Sequence, residues 1–291
     1  MMEEYKIPEL SREQFHKFAE IVHRVSHITL KENKITLLAN RLRKRMRDLS
    51  LGTYEEYFRY LTGENSGDEI SLFLEVITTN ETYFWRTTSN FEILKTNILP
   101  SLFLNYPSRS LSLWAAGCST GEEPYNIAME LIESMKDHGI FDFKIRASDI
   151  SRRVIDFAQK GTYSGRKIEK IPPLLLGRYF RQEKEFPGHY TVRRDLKERI
   201  EFVVEDLFSA EVKGIHCIFC RNVMIYFSQE DQEELVARFY RSLEPGGFLV
   251  IGHAESLHIL KNEFTPHHFP GGVVYQKLVP AHLQKGPAGP A

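Results

Sequence analysis

WAAGCSTGEEP, from Trp114 to Pro124, decides the fold class: an apolar strand runs into a turn of small residues, and then into a helix that opens on two acids and a proline. Small residues in such a turn let a ligand approach the backbone. A pyrophosphate on the helix N-terminus calls for Gly-x-Gly-x-x-Gly, of which only part is present, and Glu122 and Glu123 would repel phosphate. Acids beside the turn suit a ligand that carries positive charge.

S-adenosylmethionine meets that requirement, with an ammonium, a sulfonium and no phosphate. The plainer alternative is a capped turn whose acids favour the helix dipole. Asp149, in ASDIS at the end of the next candidate strand, lies one βαβ unit further on, where a ribose-binding acid is expected. An acid after a strand also serves as a helix N-cap, and Asp149 or Ser151 suits that role.

Working outward, short apolar strands alternate with helical patterns from Leu111 onward: LSLWAAG, KIRASDI, IEFVVED, HCIFCRN and GFLVIGH. This is the texture of an α/β parallel sheet. EFTPHHF and GGVVYQKL, joined through Pro270, Gly271 and Gly272, read as an antiparallel hairpin closing that sheet. Between Lys160 and Ile200 the alternation breaks for about forty residues, long for a connection. There Tyr179, Phe180 and His189 to Val192 flank a Pro187-Gly188 turn, which predicts a small hairpin outside the main sheet.

From Ser11 to about Glu64 the apolar residues recur at helical spacing: Phe15, Phe18, Ile21 and Val22, then Leu37, Leu38, Leu42 and Met46. Ser11 with Gln14, and Thr53 with Glu56, have the spacing of capping boxes. GENSGDE, from Gly63 to Glu69, reads as a break between helices or the start of a linker. The expected division is a helical domain over 1–75 and an α/β domain over 76–280, with an insertion over 161–199 and a disordered tail over 281–291.

The 291 residues are 42% hydrophobic, enough for one large core and a smaller one, and the net charge of -1 commits the chain neither to nucleic acid nor to an anionic membrane. The opening residues, MMEEYKIPELSREQ, carry acids and no apolar run, and the apolar runs elsewhere are too short to cross a bilayer. A cytoplasmic location without membrane insertion is expected. Cys118, Cys217 and Cys220 do not suggest a disulfide framework. On a strand Cys217 and Cys220 point to opposite faces, and His253, His258, His267 and His268 show no ligand pattern, so no metal site is expected. With no heptad and no long bare edge, a monomer is expected.

NETYFWR (Asn80 to Arg86), AGCSTGEEPYNIAM (Ala116 to Met129), ASDIS, CRNVMIYF (Cys220 to Phe227) and EPGGFLVIGHAESL (Glu244 to Leu257) together resemble, in order, the blocks of the chemotaxis receptor methyltransferases. The resemblance covers nearly the whole chain apart from the tail. It implies a small all-helical N-terminal receptor-docking domain followed by a Rossmann-like class I methyltransferase domain, with a mainly parallel seven-stranded sheet and a small β-subdomain insertion. The implied activity is methyl transfer from S-adenosyl-L-methionine to glutamate side chains of methyl-accepting receptors, leaving S-adenosyl-L-homocysteine, in an enzyme recruited to receptor arrays.

By position, the resemblance implies that Asn80, Thr82, Arg86, Glu123, Asp149, Asp206, Leu207, Arg221 and Asn222 surround the cofactor, with Arg86 and Tyr226 nearest the methyl group. Asp206 departs mildly from the pattern, since some relatives carry Asn there.

The chemistry agrees. A glutamate side chain, with a pKa of about 4.3, is already ionised and needs no general base, so no catalytic histidine is expected. Attack of a carboxylate on a sulfonium cancels charge, which favours a dry, aligned site. Arg86 can hold one carboxylate oxygen and leave the other free, and Tyr226 can orient the sulfonium or the acceptor. A surface ion pair of Arg86 with Glu81 or Glu92, and sheet-edge packing for Tyr226, are the structural alternatives. Arg41, Arg43, Lys44, Arg45 and Arg47 form a basic helix suited to an acidic partner, a Glu-rich receptor helix being the expected one. CRNVMIYF lacks the Pro-Pro-aromatic arrangement of many base-methylating enzymes, so nucleic acid is not the expected partner. A different acceptor, or a non-catalytic cofactor-binding adaptor, are the competing functions.

Overall fold

The computed structural model describes residues 8–63, 66–78, 80–253, 255 and 264–279. The tail over 281–291, His258 and part of the HAESL block lie outside the described residues.

Four helices form the N-terminal unit: α1 (Arg12–Ser26), α2 (Ile35–Asp48), α3 (Tyr54–Thr62) and α4 (Ser66–Ile77). Both expected capping boxes are present, Ser11 with Gln14 on α1 and Thr53 with Glu56 on α3. The apolar stripes converge on Phe18, whose ring lies 5.6–6.4 Å from those of Tyr54, Tyr57, Phe58 and Phe73. Truncating such a residue to alanine costs about 3–5 kcal/mol. The stretch from Gly63 to Glu69 marks a change of helix rather than the start of a linker, because α4 already begins at Ser66 within it and adds Phe73, Leu74 and Ile77 to the same core. Leu37, part of the apolar pattern of α2, is 41% exposed.

Next come α5 (Ser89–Ile93), a π turn (Leu94–Ile98) and α6 (Leu99–Asn105), none of them anticipated from the sequence. Pro100, which has no amide hydrogen to give, lies at the start of α6, two residues past the irregular turn. This segment buries Phe91, Leu94, Ile98, Leu99 and Leu102 in the core of the sheet domain.

Beyond it run β1 (Ser110–Ala116), α7 (Glu122–His138), β2 (Asp142–Asp149) and α8 (Arg152–Lys160). The insertion holds β3 (Thr162–Ser164), α9 (Pro173–Tyr179), β4 (Phe180–Gln182), β5 (His189–Val192) and α10 (Arg194–Lys197). The chain then completes β6 (Ile200–Val204), β7 (Ile215–Cys220), α11 (Gln229–Ser242), β8 (Leu243–Ile251), β9 (Phe264–Phe269) and β10 (Gly272–Lys277). The main sheet has seven strands in the order β6-β2-β1-β7-β8-β10-β9. β6, β2, β1, β7 and β8 are parallel, while β10 runs antiparallel to both β8 and β9. The expected closing hairpin is therefore β9-β10.

Both faces of the sheet are covered, as a parallel sheet requires. Alternate residues divide between two cores, Cys217 and Phe219 on one side, Ile218 and Cys220 on the other. The two thiols thus face apart, and burial pushes both up in pKa. In the insertion, β4 and β5 form the expected antiparallel hairpin, β3 adds a third strand on the far side of β5, and Tyr179 belongs to α9 rather than a strand.

Strand order reverses between β1 and β7, which opens a crevice at their carboxyl ends. The helical unit is fastened to the elements around it. Ile28 bridges Phe227, and the Thr29 amide donates to the Tyr226 carbonyl at 2.8 Å. His27 stacks on Phe208 at 3.8 Å and bonds Asp231 at 2.9 Å, and His23 meets the other oxygen of Asp231 at 3.1 Å. Among the described residues, no helix is long and apolar enough to cross a membrane.

Candidate active site

The turn after β1 is held in the left-handed region at Gly117 (φ 79°), Ser119 (φ 49°) and Gly121 (φ 90°). A Cβ on Gly117 would stand 2.5 Å from Val223 Cγ2, so only glycine fits there. Ser119 N donates to Asp149 Oδ2 at 2.9 Å, and Ser151 N to Asp149 Oδ1 at 3.0 Å. Asp149 therefore ties the β1 turn to the start of α8, and each of its oxygens keeps acceptor capacity. Burial raises its pKa against the opposing effect of these backbone donors.

The two acids of STGEEP are less free than their spacing suggests. Glu122 is fully buried, ion-paired with Lys167 from the insertion, and accepts from the Thr120 hydroxyl at 2.7 Å. Glu123 accepts from Arg221 Nη1 at 2.6 Å. Burial raises both carboxyl pKa values, and the paired cations oppose it. Each acid thus meets a cation from far along the chain, which sequence spacing cannot reveal. Glu123 still borders the cavity described below.

NETYFWR crosses over this turn. Trp85 and Thr87 have φ of 58° and 60°, unfavourable for bulky side chains, with Arg86 between them. Trp85 N donates to Asn126 Oδ1 at 3.1 Å, and the Arg86 carbonyl accepts from Arg221 Nη2 at 2.7 Å. The Arg86 guanidinium donates to the Glu81 carbonyl at 2.9 Å, while Glu92 pairs with Lys95. Among the described residues, neither Glu81 nor Glu92 forms the surface ion pair considered for Arg86.

These elements enclose a cavity of about 640 Å³. Asn80, Thr82, Arg86, Glu123 and Asp149 border it, and so do Asp206, Leu207, Arg221, Asn222 and Tyr226. Asp206 sits in the turn after β6 with its carboxylate accepting from Phe208 N at 3.1 Å. Asn222 has φ of 60°, and Tyr226, in a 3-10 turn rather than on a strand edge, is 36% exposed. Two buried donors on the wall, Asn126 Nδ2 and Arg221 Nε, have no partner among the described residues. Donors there, with Asp149 and Glu123 as acceptors, suit a zwitterionic amino acid joined to a nucleoside.

The opposite wall comes from the helical unit: Ile28, Leu30, Lys31, Lys34 and Leu37. Of the basic residues on α2, only Arg41 reaches the cavity, donating to the Ile77 carbonyl; burial lowers its pKa against the influence of Tyr226. Arg45 turns inward, making two bonds to Glu69 at 3.0 and 2.6 Å, where Tyr57 also donates. Arg43 bonds Asn40 and the Pro8 carbonyl, Arg47 bonds the Arg43 carbonyl, and Lys44 is exposed. The basic helix is therefore split into an inward pair, Arg41 and Arg45, and an outward group. Lys31, Lys34, Asn126 and Lys167 were not singled out in the sequence, because neither motif nor periodicity marks them.

Strand order, the glycine turn and the position of the cavity define a Rossmann-like class I methyltransferase that uses S-adenosylmethionine. Residues 80–271 match the family model "CheR methyltransferase, SAM binding domain", and residues 13–78 match "CheR methyltransferase, all-alpha domain". The chain belongs to the CheR methyltransferase family. It is 38% identical to chemotaxis protein methyltransferase 2 of Pseudomonas aeruginosa, over 84% of this chain and 87% of that protein. Identity is 34% to the chemotaxis protein methyltransferase of Escherichia coli, over 88% of each, and 31% to chemotaxis protein methyltransferase 2 of Vibrio cholerae, over 90% and 92%.

Proposed function

We propose that this enzyme transfers the methyl group of S-adenosylmethionine to glutamate carboxylates on the helical cytoplasmic region of chemotaxis receptors, forming methyl esters. The observation that carries the proposal is the shared cavity. The crevice at the carboxyl ends of β1 and β7 opens directly onto a wall built by the helical unit, with Arg86 and Tyr226 both bordering it. The bound cofactor supplies an electrophilic methyl on a sulfonium.

Asp149 is suited to the ribose, Asp206 to the adenine amine, and Glu123 to the ammonium, with Asn80, Thr82, Leu207, Arg221 and Asn222 completing the surround. Arg86 holds one oxygen of the acceptor carboxylate while the other attacks, and Tyr226 orients the reacting pair. No proton has to move, because the acceptor is already an anion. The domain over 1–75 acts as the receptor-docking unit, and Arg41, Arg43, Lys44 and Arg47 offer its positive charge. Arg45, spent on Glu69, is left out of that role.

The test is transfer of labelled methyl to membranes containing chemotaxis receptors, followed by mild base. Label on the receptor released as methanol supports the proposal. Base-stable label reassigns the acceptor to nitrogen or carbon, and cofactor binding without label indicates an adaptor.

A further inference from the structure

Glu255 lies just beyond β8 and does not border the cavity. Its carboxylate nevertheless collects four backbone amides from the two loops that leave adjacent parallel strands. Oε2 accepts from Gly252 N at 2.6 Å and Asn222 N at 3.0 Å; Oε1 accepts from Val223 N at 3.1 Å and Ile225 N at 3.3 Å. Its own amide donates to the Gly252 carbonyl at 3.0 Å, which closes the β8 loop into a turn. A Cβ on Gly252 would stand 2.6 Å from Glu255 Oε2, so the small residue makes room for the carboxylate.

Amides that leave a sheet at its carboxyl edge lose their ladder partners, and a single carboxylate here satisfies three donors of one loop, from Asn222, Val223 and Ile225. That loop holds Asn222 in the left-handed region and delivers Tyr226, whose carbonyl is gripped from the other side by Thr29 N. The turn that carries Tyr226 is thus held between a carboxylate of the sheet domain and an amide of the helical unit.

We infer that Glu255 is a positioning residue for methyl transfer: it sets the Asn222–Tyr226 turn, and through it the distance between acceptor and methyl group. The inference rests on the proposed place of Tyr226 beside the transferred methyl. A glutamine at 255 keeps the size but offers one acceptor oxygen and turns an NH2 against two amide donors. An aspartate keeps both oxygens and draws them back by one methylene.

Glu255→Gln is expected to lower kcat at saturating cofactor by about tenfold or more, with the thermal unfolding midpoint falling by only a few degrees. Calorimetric titration with S-adenosylhomocysteine is expected to show a few-fold loss of affinity, carried by Asn222. Glu255→Asp is expected to fall between the two. Combined with Tyr226→Phe, the Gln variant is expected to add little further loss, because both act on the same contact. A purely structural residue would lower the midpoint and leave kcat per folded enzyme unchanged, which overturns the inference. So does full multiplication of the two effects in the double variant. Should Glu255→Gln not fold, a wild-type kcat in Glu255→Asp overturns it equally. A wild-type rate in Tyr226→Phe removes the place given to Tyr226, and Glu255 then stands or falls on its own kcat.

Discussion

The two walls of the cavity are built differently. On the sheet side, the acids and the loop between them are already held: Asp149 by two amides, Glu123 by Arg221, Asp206 by Phe208 N, and the Asn222 turn by Glu255. On the helical side, Lys31, Lys34 and Leu37 are exposed at the rim. A pre-ordered wall suits a small ligand of constant shape, since ordering costs are met on folding. An exposed basic and apolar wall suits a macromolecule that brings its own order. In this account the first wall holds the cofactor and the second receives the acceptor.

That contrast can be broken most forcefully at Arg86. Arg86→Ala is expected to leave S-adenosylhomocysteine affinity within a few-fold and to cut transfer by about 100-fold or more, as rapid-quench and calorimetric measurements would read. Loss of cofactor affinity instead would reassign Arg86 from the acceptor to the cofactor. Asp149→Ala is expected to do the reverse, weakening cofactor binding by about 10- to 100-fold through the loss of charged acceptors. Unchanged affinity would count against its ribose assignment.

The joint between the walls is sensitive to acid. Burial would raise the pKa of Asp231, but bonds from Ser228, His27 and His23 outweigh it and hold the group at about 2. A carboxyl depressed on folding contributes stability above its unfolded pKa of about 3.9 and loses it as pH falls towards the folded value. Asp231→Asn should therefore cost about 1 kcal/mol at neutral pH, a figure reduced for its solvent-facing edge, and flatten the loss of stability between about pH 4 and 2. Denaturant titrations across that range test both statements.

The smallest effect is expected at the rim. Reversing Lys31 and Lys34 to glutamate should raise the acceptor KM several-fold in low salt, with the difference shrinking in high salt.

Much of this architecture was legible in local sequence. The seven strands of the main sheet stood out because apolar runs ended in Gly, Asn or Asp turns, and both capping boxes were visible at three-residue spacing. What stayed hidden depends on distant partners. Arg45 reads as surface charge until Glu69 arrives from another helix, Glu122 reads as a ligand acid until Lys167 neutralises it, and the Arg221 partner of Glu123 cannot be seen from spacing. Glu255 belonged to a recognised block, yet its role rests on the amides of a loop 30 to 33 residues earlier. Helices α5 and α6 were missed because a π turn between them interrupts their periodicity.

The two walls serve different substrates. That division is tested most directly by steady-state methyl transfer with cofactor and receptor concentrations both varied, in Asp149→Ala beside the Lys31→Glu, Lys34→Glu double variant. The first variant is expected to raise only the cofactor KM, and the second only the receptor KM. A receptor KM that moves in Asp149→Ala, or a cofactor KM that moves in the lysine variant, would contradict the division.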